Sequence, residues 1–123
     1  MKLEALRNYL LAKPDTTEEI PFGPQALVYK VAGKMFALIA WDEEPMRISL
    51  KCDPERALAL REVFDGVRGA YHFNKRHWNM VDLDGSVPDD EVLAMIDHSL
   101  DLVVAGLTRA QRDEIRGASS SPG

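Results

Sequence analysis

The stretch from Leu27 to Cys52 constrains the fold more than any other part of the chain. It holds three runs of β-branched, aromatic and large apolar residues: Leu27–Val31, Lys34–Trp41 and Met46–Cys52. Turn residues bound each run, the signature of an antiparallel meander. Ala32-Gly33 joins the first two runs, and Gly33 supplies the positive φ that a two-residue hairpin demands. Asp42-Glu43-Glu44-Pro45 joins the last two, and the proline ends pairing there.

Side chains alternate across a sheet, so the register assigns each residue to a face. A two-residue turn pairs Tyr29 with Phe36, and a four-residue loop pairs Trp41 with Met46. One face then carries Val28, Lys30, Met35, Ala37, Ile39, Trp41, Met46, Ile48, Leu50 and Cys52. Apart from Lys30 it is apolar, as a core face should be. The other carries Leu27, Tyr29, Val31, Lys34, Phe36, Leu38, Ala40, Arg47, Ser49 and Lys51. That face is aromatic and aliphatic in its middle, cationic along its third strand, and free of carboxylates. A sheet face that no helix covers should be mostly polar, so this one asks for a partner. Ile48 and Leu50 are expected to be buried, with Arg47, Ser49 and Lys51 turned away from the helices.

The rest of the chain supplies those helices. Leu3, Leu6, Leu10 and Leu11 recur at helical spacing over residues 2–12. Pro14 ends that helix, and the polar Asp15–Glu19 and Pro21-Phe22-Gly23-Pro24 read as connector. Asp53-Pro54 is a helix start, with an apolar stripe of Ala57, Leu60, Val63 and Phe64, Leu58 on its flank, and a stop at Gly66. Ala70–Phe73 and His77–Leu83, joined by Asn74-Lys75-Arg76, read as a second hairpin. Pro88-Asp89-Asp90-Glu91 opens a long helix, with Val92, Leu93, Ile96, Leu100, Val103 and Val104 buried and Gly106 as its end. Thr108–Gln111 fits a capping box for a last short helix. The order α-β-β-β-α-β-β-α-α implies an α+β two-layer sandwich, an antiparallel sheet with helices on one face. Residues 1–116 are expected to form a single domain, and Gly117–Gly123 a mobile tail.

Composition narrows the function classes. A chain of 123 residues suits one core, and no apolar run is long enough to cross a bilayer. The first residues begin a helix and show no signal-peptide core, and a lone Cys52 excludes an internal disulfide, so a cytoplasmic protein is expected. The net charge of −5 is not that of a strong nucleic-acid binder. It is unevenly spread, however. Asp82 to Asp101 holds seven carboxylates and no Lys or Arg, whereas Tyr71 to Asn79 holds two cations, two histidines and no carboxylate. An acidic domain can still present one cationic face.

Tyr71-His72-Phe73-Asn74-Lys75-Arg76-His77-Trp78-Asn79 is the densest segment for binding chemistry. Its cations suit phosphates, and its Tyr, His and Trp suit stacking on bases; the bland alternative is a soluble basic hairpin tip. Trp78–Met80 and Val81–Leu83 both supply plausible inward pairs, which leaves the face of Trp78 open. His72 and His77 lie either side of a turn with no carboxylate or cysteine to complete a metal site. The acids Asp89, Asp90, Glu91, Asp97 and Asp101 read as helix-start charges and a solvated face. Cys52 precedes a helix start, which can lower a thiol pKa, but its core-face position favours a structural role. No P-loop, G-x-S-x-G, HExxH or G-x-G-x-x-G is present, so no enzymatic activity is expected.

The leucine helix, Pro21-Phe22-Gly23-Pro24, Lys34-Met35-Phe36-Ala37, Leu50-Lys51-Cys52-Asp53-Pro54, His77-Trp78-Asn79 and Asp97-His98-Ser99-Leu100-Asp101-Leu102-Val103 occur in an order that resembles the MmcQ/YjbR family. The resemblance runs to about Arg112. It implies a small bacterial protein of CyaY-like, that is frataxin-like, fold, in a family described as DNA-binding through a proposed double-wing arrangement of two hairpins. It implies no agreed set of binding residues.

The leading expectation is therefore nucleic-acid binding, with DNA the first candidate, through the open sheet face and the two hairpins. Lys34, Arg47, Lys51, Lys75 and Arg76 would hold phosphates. Tyr29, Phe36, Tyr71 and Trp78 would stack on bases, with His77 in the same interface. The alternative is a protein-interaction module on the same face, with Phe36 and Leu38 central and Arg47 peripheral. A frataxin-like iron role would need clustered carboxylates on the first helix, where only Glu4 stands. No cofactor, metal or membrane partner is expected.

Overall fold

The computed structural model describes residues 1–70 and 73–120. Helix α1 (Leu3–Leu11) and a short strand β1 (Thr16–Glu19) precede the meander of β2 (Ala26–Val31), β3 (Lys34–Ala40) and β4 (Arg47–Lys51). Helix α2 (Pro54–Val63), strands β5 (Val67–Gly69) and β6 (Trp78–Asp82), and helices α3 (Asp89–Ala105) and α4 (Arg109–Ser120) follow. The strands form one antiparallel sheet in the order β1-β2-β3-β4-β6-β5. Leu6 and Leu10 of α1, and Val92, Met95, Ile96 and Val103 of α3, pack with Tyr29, Val31, Ile39, Ile48, Leu50 and Val81 of the sheet in one core. The α+β two-layer class expected from the sequence is therefore the one observed.

Local chemistry explains the helix boundaries. The Asp53 carboxylate accepts the Arg56 N–H at 3.3 Å, and Pro54 opens α2. Three acids sit in the first turn of α3, and Gly106 follows its last residue. Thr108 and Gln111 form the reciprocal capping box, at 3.0 and 3.2 Å. Helix α4 runs on to Ser120, into the stretch expected as a tail; Ala118, Ser119 and Ser120 do not break a helix already started. Ser121–Gly123 lie outside the described residues.

Four expectations are corrected. Thr16–Glu19 is a strand, not connector, because its inward carboxylate Glu18 has a polar destination: it accepts from Arg7 at 2.7 and 2.8 Å and from the Tyr29 hydroxyl at 2.5 Å. The β2–β3 register holds at Val31↔Lys34 and Lys30↔Met35, then shifts, so that Tyr29 faces Ala37 rather than Phe36. The extra residue, Phe36, makes a β-bulge, and Phe36 and Ala37 both enter the core. The shift turns Tyr29 and Val31 inward and sends Val28 and Lys30 to the other face. Trp41 leaves the strand and donates its indole N–H to the Pro24 carbonyl at 2.7 Å, instead of joining the core. The second hairpin pairs Val67–Gly69 with β6, ahead of the expected Ala70–Phe73 run, in which Ala70 N–H bonds Trp78 C=O at 3.1 Å and Tyr71 and His72 lie outside the described residues.

Strand β4 alternates as expected from Arg47 to Leu50, and Lys51, expected to face away from the helices, is corrected: at the strand's end it borders a recess lined by α3. Ile48 and Leu50 are buried in the core. Arg47 and Ser49 face away from the helices. At that end the β3–β4 ladder stops at Ala37↔Leu50. The Ser99 hydroxyl of α3 fills the gap, donating to Phe36 C=O at 2.6 Å and accepting from Lys51 N–H at 2.9 Å.

Candidate functional site

The antiparallel order gathers distant residues at one end of the sheet. There β3 starts at Lys34, β4 ends at Lys51 and β6 starts at Trp78, with Lys51 and Trp78 as cross-strand partners. The connection from β5 to β6 turns at the same end and carries Lys75 and Arg76, both exposed. Helix α3 also ends there: Lys34 and Lys51 border a recess with Leu102, Val103 and Gly106. A helix C-terminus carries negative partial charge, so two lysines beside it are electrostatically matched. Among the described residues, none of Lys34, Lys51, Lys75 and Arg76 forms an ion pair. Glu55 borders the shallow recess beside Lys75 and Arg76 but bridges to neither.

The basic connection is held from behind. Arg61 of α2 donates to Asn79 Oδ1 at 2.8 Å and to the carbonyls of Lys75 and Trp78. Asn79, itself buried, donates to Ala57 C=O at 3.3 Å. Within the turn, the Asn74 side chain accepts the Arg76 N–H at 3.0 Å and the Asn74 carbonyl accepts the His77 N–H at 3.0 Å. The Phe73 and Trp78 rings stack, centroids 4.7 Å apart and planes 20° apart. The half-buried Trp78 therefore stands at the sheet end, stacked on its own loop.

Charge is neutralised at the opposite end. Arg47 bonds Asp82 at 3.1 Å and also Glu43, while Arg68 grips Asp82 with two bonds of 2.9 and 3.0 Å. The Ser86 hydroxyl and backbone N–H hold the Asp84 carboxyl below the usual range. Along the flank, Lys30 meets Glu19, Arg7 meets Glu18, and Lys13 meets Asp97.

Between the two ends, the open face is hollow. A cavity of about 400 Å³ has Ala26, Leu38, Ala40, Ala70 and Met80 as its apolar lining. Phe22 and Phe73 stand beside them, and Gln25, Glu43, Arg47 and Ser49 supply the polar groups. Ile20, Phe22 and Trp41 are 58 %, 68 % and 39 % exposed.

The YjbR family model matches residues 11–102. The chain belongs to the YjbR family. The Escherichia coli K12 protein called uncharacterized protein YjbR is 35 % identical over 112 residues, 91 % of this chain and 95 % of that one. The E. coli O157:H7 protein called uncharacterized protein YbdF is 32 % identical over 96 residues, 78 % of this chain and 79 % of that one. Among solved structures, the Deinococcus radiodurans protein DR2400, described by its DUF419 domain, superposes with a TM-score of 0.88. It is 36 % identical, over 94 % of this chain and 88 % of its own. A Pseudomonas syringae protein superposes with a TM-score of 0.72 at 28 % identity, over 83 % of this chain and 98 % of its own.

Within this YjbR domain the residues singled out from sequence separate into three groups. Lys34, Lys51, Lys75, Arg76, His77 and Trp78 lie at the cationic sheet end. Arg47 lies on the open face, engaged by Glu43 and Asp82. Tyr29 and Phe36 are corrected: both are fully buried in the core, so neither ring can meet a base. The bulge at Phe36, which sequence alternation does not reveal, turned both inward. Tyr71 lies outside the described residues, as does His72. Sequence reasoning missed Phe22, Phe73 and Arg61; Phe22 had a signal, since it sits in a connector where an apolar ring has no core to enter, whereas Phe73 fell in a run read as strand. Cys52 is buried, and burial pushes its thiol pKa up. Burial also lowers the His98 pKa, aided by Arg56, and His98 Nε2 accepts the Asp53 N–H at 3.1 Å. No helix among the described residues is long and apolar enough to cross a membrane.

Proposed function

We propose that this YjbR-family chain is a nucleic-acid-binding module whose phosphate contacts are Lys34, Lys51, Lys75 and Arg76. The observation that carries the reading is the segregation of cations. These four share one end of the sheet and, like Lys2, Arg56, Arg109 and Arg112 elsewhere on the surface, have no carboxylate partner among the described residues, while Arg7, Lys13, Lys30, Arg47 and Arg68 along the flank and at the opposite end are paired. Unpaired cations are free to neutralise phosphates and release counterions. The half-buried Trp78 supplies an aromatic group at the same end. Compared with the sequence expectation, the contact surface moves from the middle of the open face to the end of the sheet, because Arg47 is engaged by acids.

The test is a fluorescence-anisotropy titration against single- and double-stranded DNA at two salt concentrations. Each phosphate contact contributes roughly 0.7–0.9 to the log–log salt slope. Joint substitution Lys75→Ala and Arg76→Ala is expected to lower the slope by about 1–2 and weaken all sequences alike. No binding at low salt would refute the reading. A second reading, a protein-interaction module, is favoured by the exposed Ile20, Phe22 and Trp41 on and around the open face. Phe22→Ala is the informative substitution for it. Phe36→Ala is not, because Phe36 is core.

A further inference from the structure

We infer that the hollow on the open face is a nucleobase pocket, and that the strand it serves is single-stranded. The inference rests on the nucleic-acid reading above. The cavity is connected to the cationic end through one residue: Phe73 lines it and stacks on Trp78, the cross-strand partner of Lys51. Lys75 follows Phe73 by two residues, within about 7 Å of chain. The backbone of Lys75 thus lies near the cavity, while the Lys75 and Lys51 side chains border recesses beside α2 and α3, so a polyanion held at the sheet end would place a base in the hollow by passing over Phe73 and Trp78. The volume, about 400 Å³, falls in the range of small-ligand sites. Its chemistry suits a base, flat and apolar on its faces and polar at its edge. Leu38, Met80, Phe22 and Phe73 offer apolar and aromatic surface, and the Gln25 amide and Ser49 hydroxyl offer both donors and acceptors.

Arg47 and Glu43, paired with each other, leave the polar side of the cavity without a strong net charge, which favours a neutral base over a second phosphate. A base stacked inside a duplex cannot reach such a hollow without being flipped out, at a cost in unstacking. Single strands therefore bind with the base contact, and duplexes with the phosphate contacts alone.

The experiment compares an oligothymidylate with an abasic phosphodiester of the same length and charge, and with the corresponding duplex. Wild-type protein is expected to prefer the oligothymidylate by roughly 5- to 150-fold, the range that base stacking spans. Ala40→Leu, which fills the cavity, should collapse that preference while leaving the salt slope and the abasic affinity unchanged. Phe22→Ala, at a highly exposed position outside the core, should reduce it in the same direction. Equal affinity of wild type for the oligothymidylate and the abasic strand, or a preference untouched by both substitutions, overturns the inference and leaves the phosphate reading standing. Absence of binding to any strand at low salt overturns both. Capture of a phenylalanine-bearing peptide that Ala40→Leu abolishes, without oligonucleotide binding, assigns the hollow to a protein partner and also overturns the inference.

Discussion

Replacing Ser99 with alanine tests how the sheet is held at its cationic end. The Ser99 side chain is fully buried and removes only one oxygen when truncated, so no large cavity forms. What changes is hydrogen bonding. Phe36 C=O loses the donor at 2.6 Å, and Lys51 N–H loses the acceptor at 2.9 Å. A buried polar group left unsatisfied costs about 1–3 kcal/mol. Phe36 is fully buried and contributes in full, whereas Lys51 is half-buried and water offsets part of its loss. The expected destabilisation is about 2–4 kcal/mol. At a urea m-value of about 1.5 kcal/mol/M, the midpoint should fall by about 1–3 M with m unchanged. Urea titration followed by circular dichroism measures it, with the exposed Ser86→Ala as a near-neutral comparison. A loss below about 0.5 kcal/mol would mean that β3 and β4 close the gap themselves, and that the hydroxyl is no substitute for a ladder bond.

Two further outcomes are expected. Glu18 titrates below its ordinary value because Arg7 and Tyr29 donate to it, against the opposing effect of burial. Its stabilisation is therefore complete above about pH 4.5, the unfolded value, and disappears as pH falls through the lower folded value. Glu18→Gln should be less stable at neutral pH and lose less on acidification; an unchanged acid-unfolding profile would count against the link. Ala32 and Gly33 both have positive φ, 50° and 75°, so Ala32→Asn should stabilise the hairpin by about 0.5–1 kcal/mol, and a lower melting temperature would contradict this.

The parts legible in sequence were those written in local chemistry. Asp53-Pro54, Pro88 with its three acids, and Thr108 with Gln111 mark helix starts through side-chain and dipole effects that need no tertiary context. The alternation of Arg47, Ile48, Ser49 and Leu50 gave correct faces because only one face of β4 is apolar. The bulge was hidden because Met35-Phe36-Ala37-Leu38-Ile39 is apolar throughout, and an extra residue cannot be found where there is no period to interrupt. Strand β1 was hidden because its inward residue is Glu18, whose partners Arg7 and Tyr29 are each eleven positions away. The cationic end could be anticipated in part, since the meander itself brings Lys34 and Lys51 together. The neutralisation of Arg47 could be anticipated only for Glu43, four residues before it, and not for Asp82, which reaches it through the β4–β6 pairing, across a helix and a hairpin.

An open sheet has two unpaired margins, and here they are β1 and β5. Exposed strand margins recruit further strands and seed aggregation when they are long, flat and apolar. Neither margin has those properties. Strand β1 is four residues of Thr and Glu, with Glu19 committed to Lys30, and β5 is three residues with an exposed arginine in the middle. A template so short, with charge in it, gives an incoming strand few backbone bonds and an ionic penalty. The protein can thus leave one face of its sheet without a helix layer and still not invite fibrils, because the protection lies in the margins.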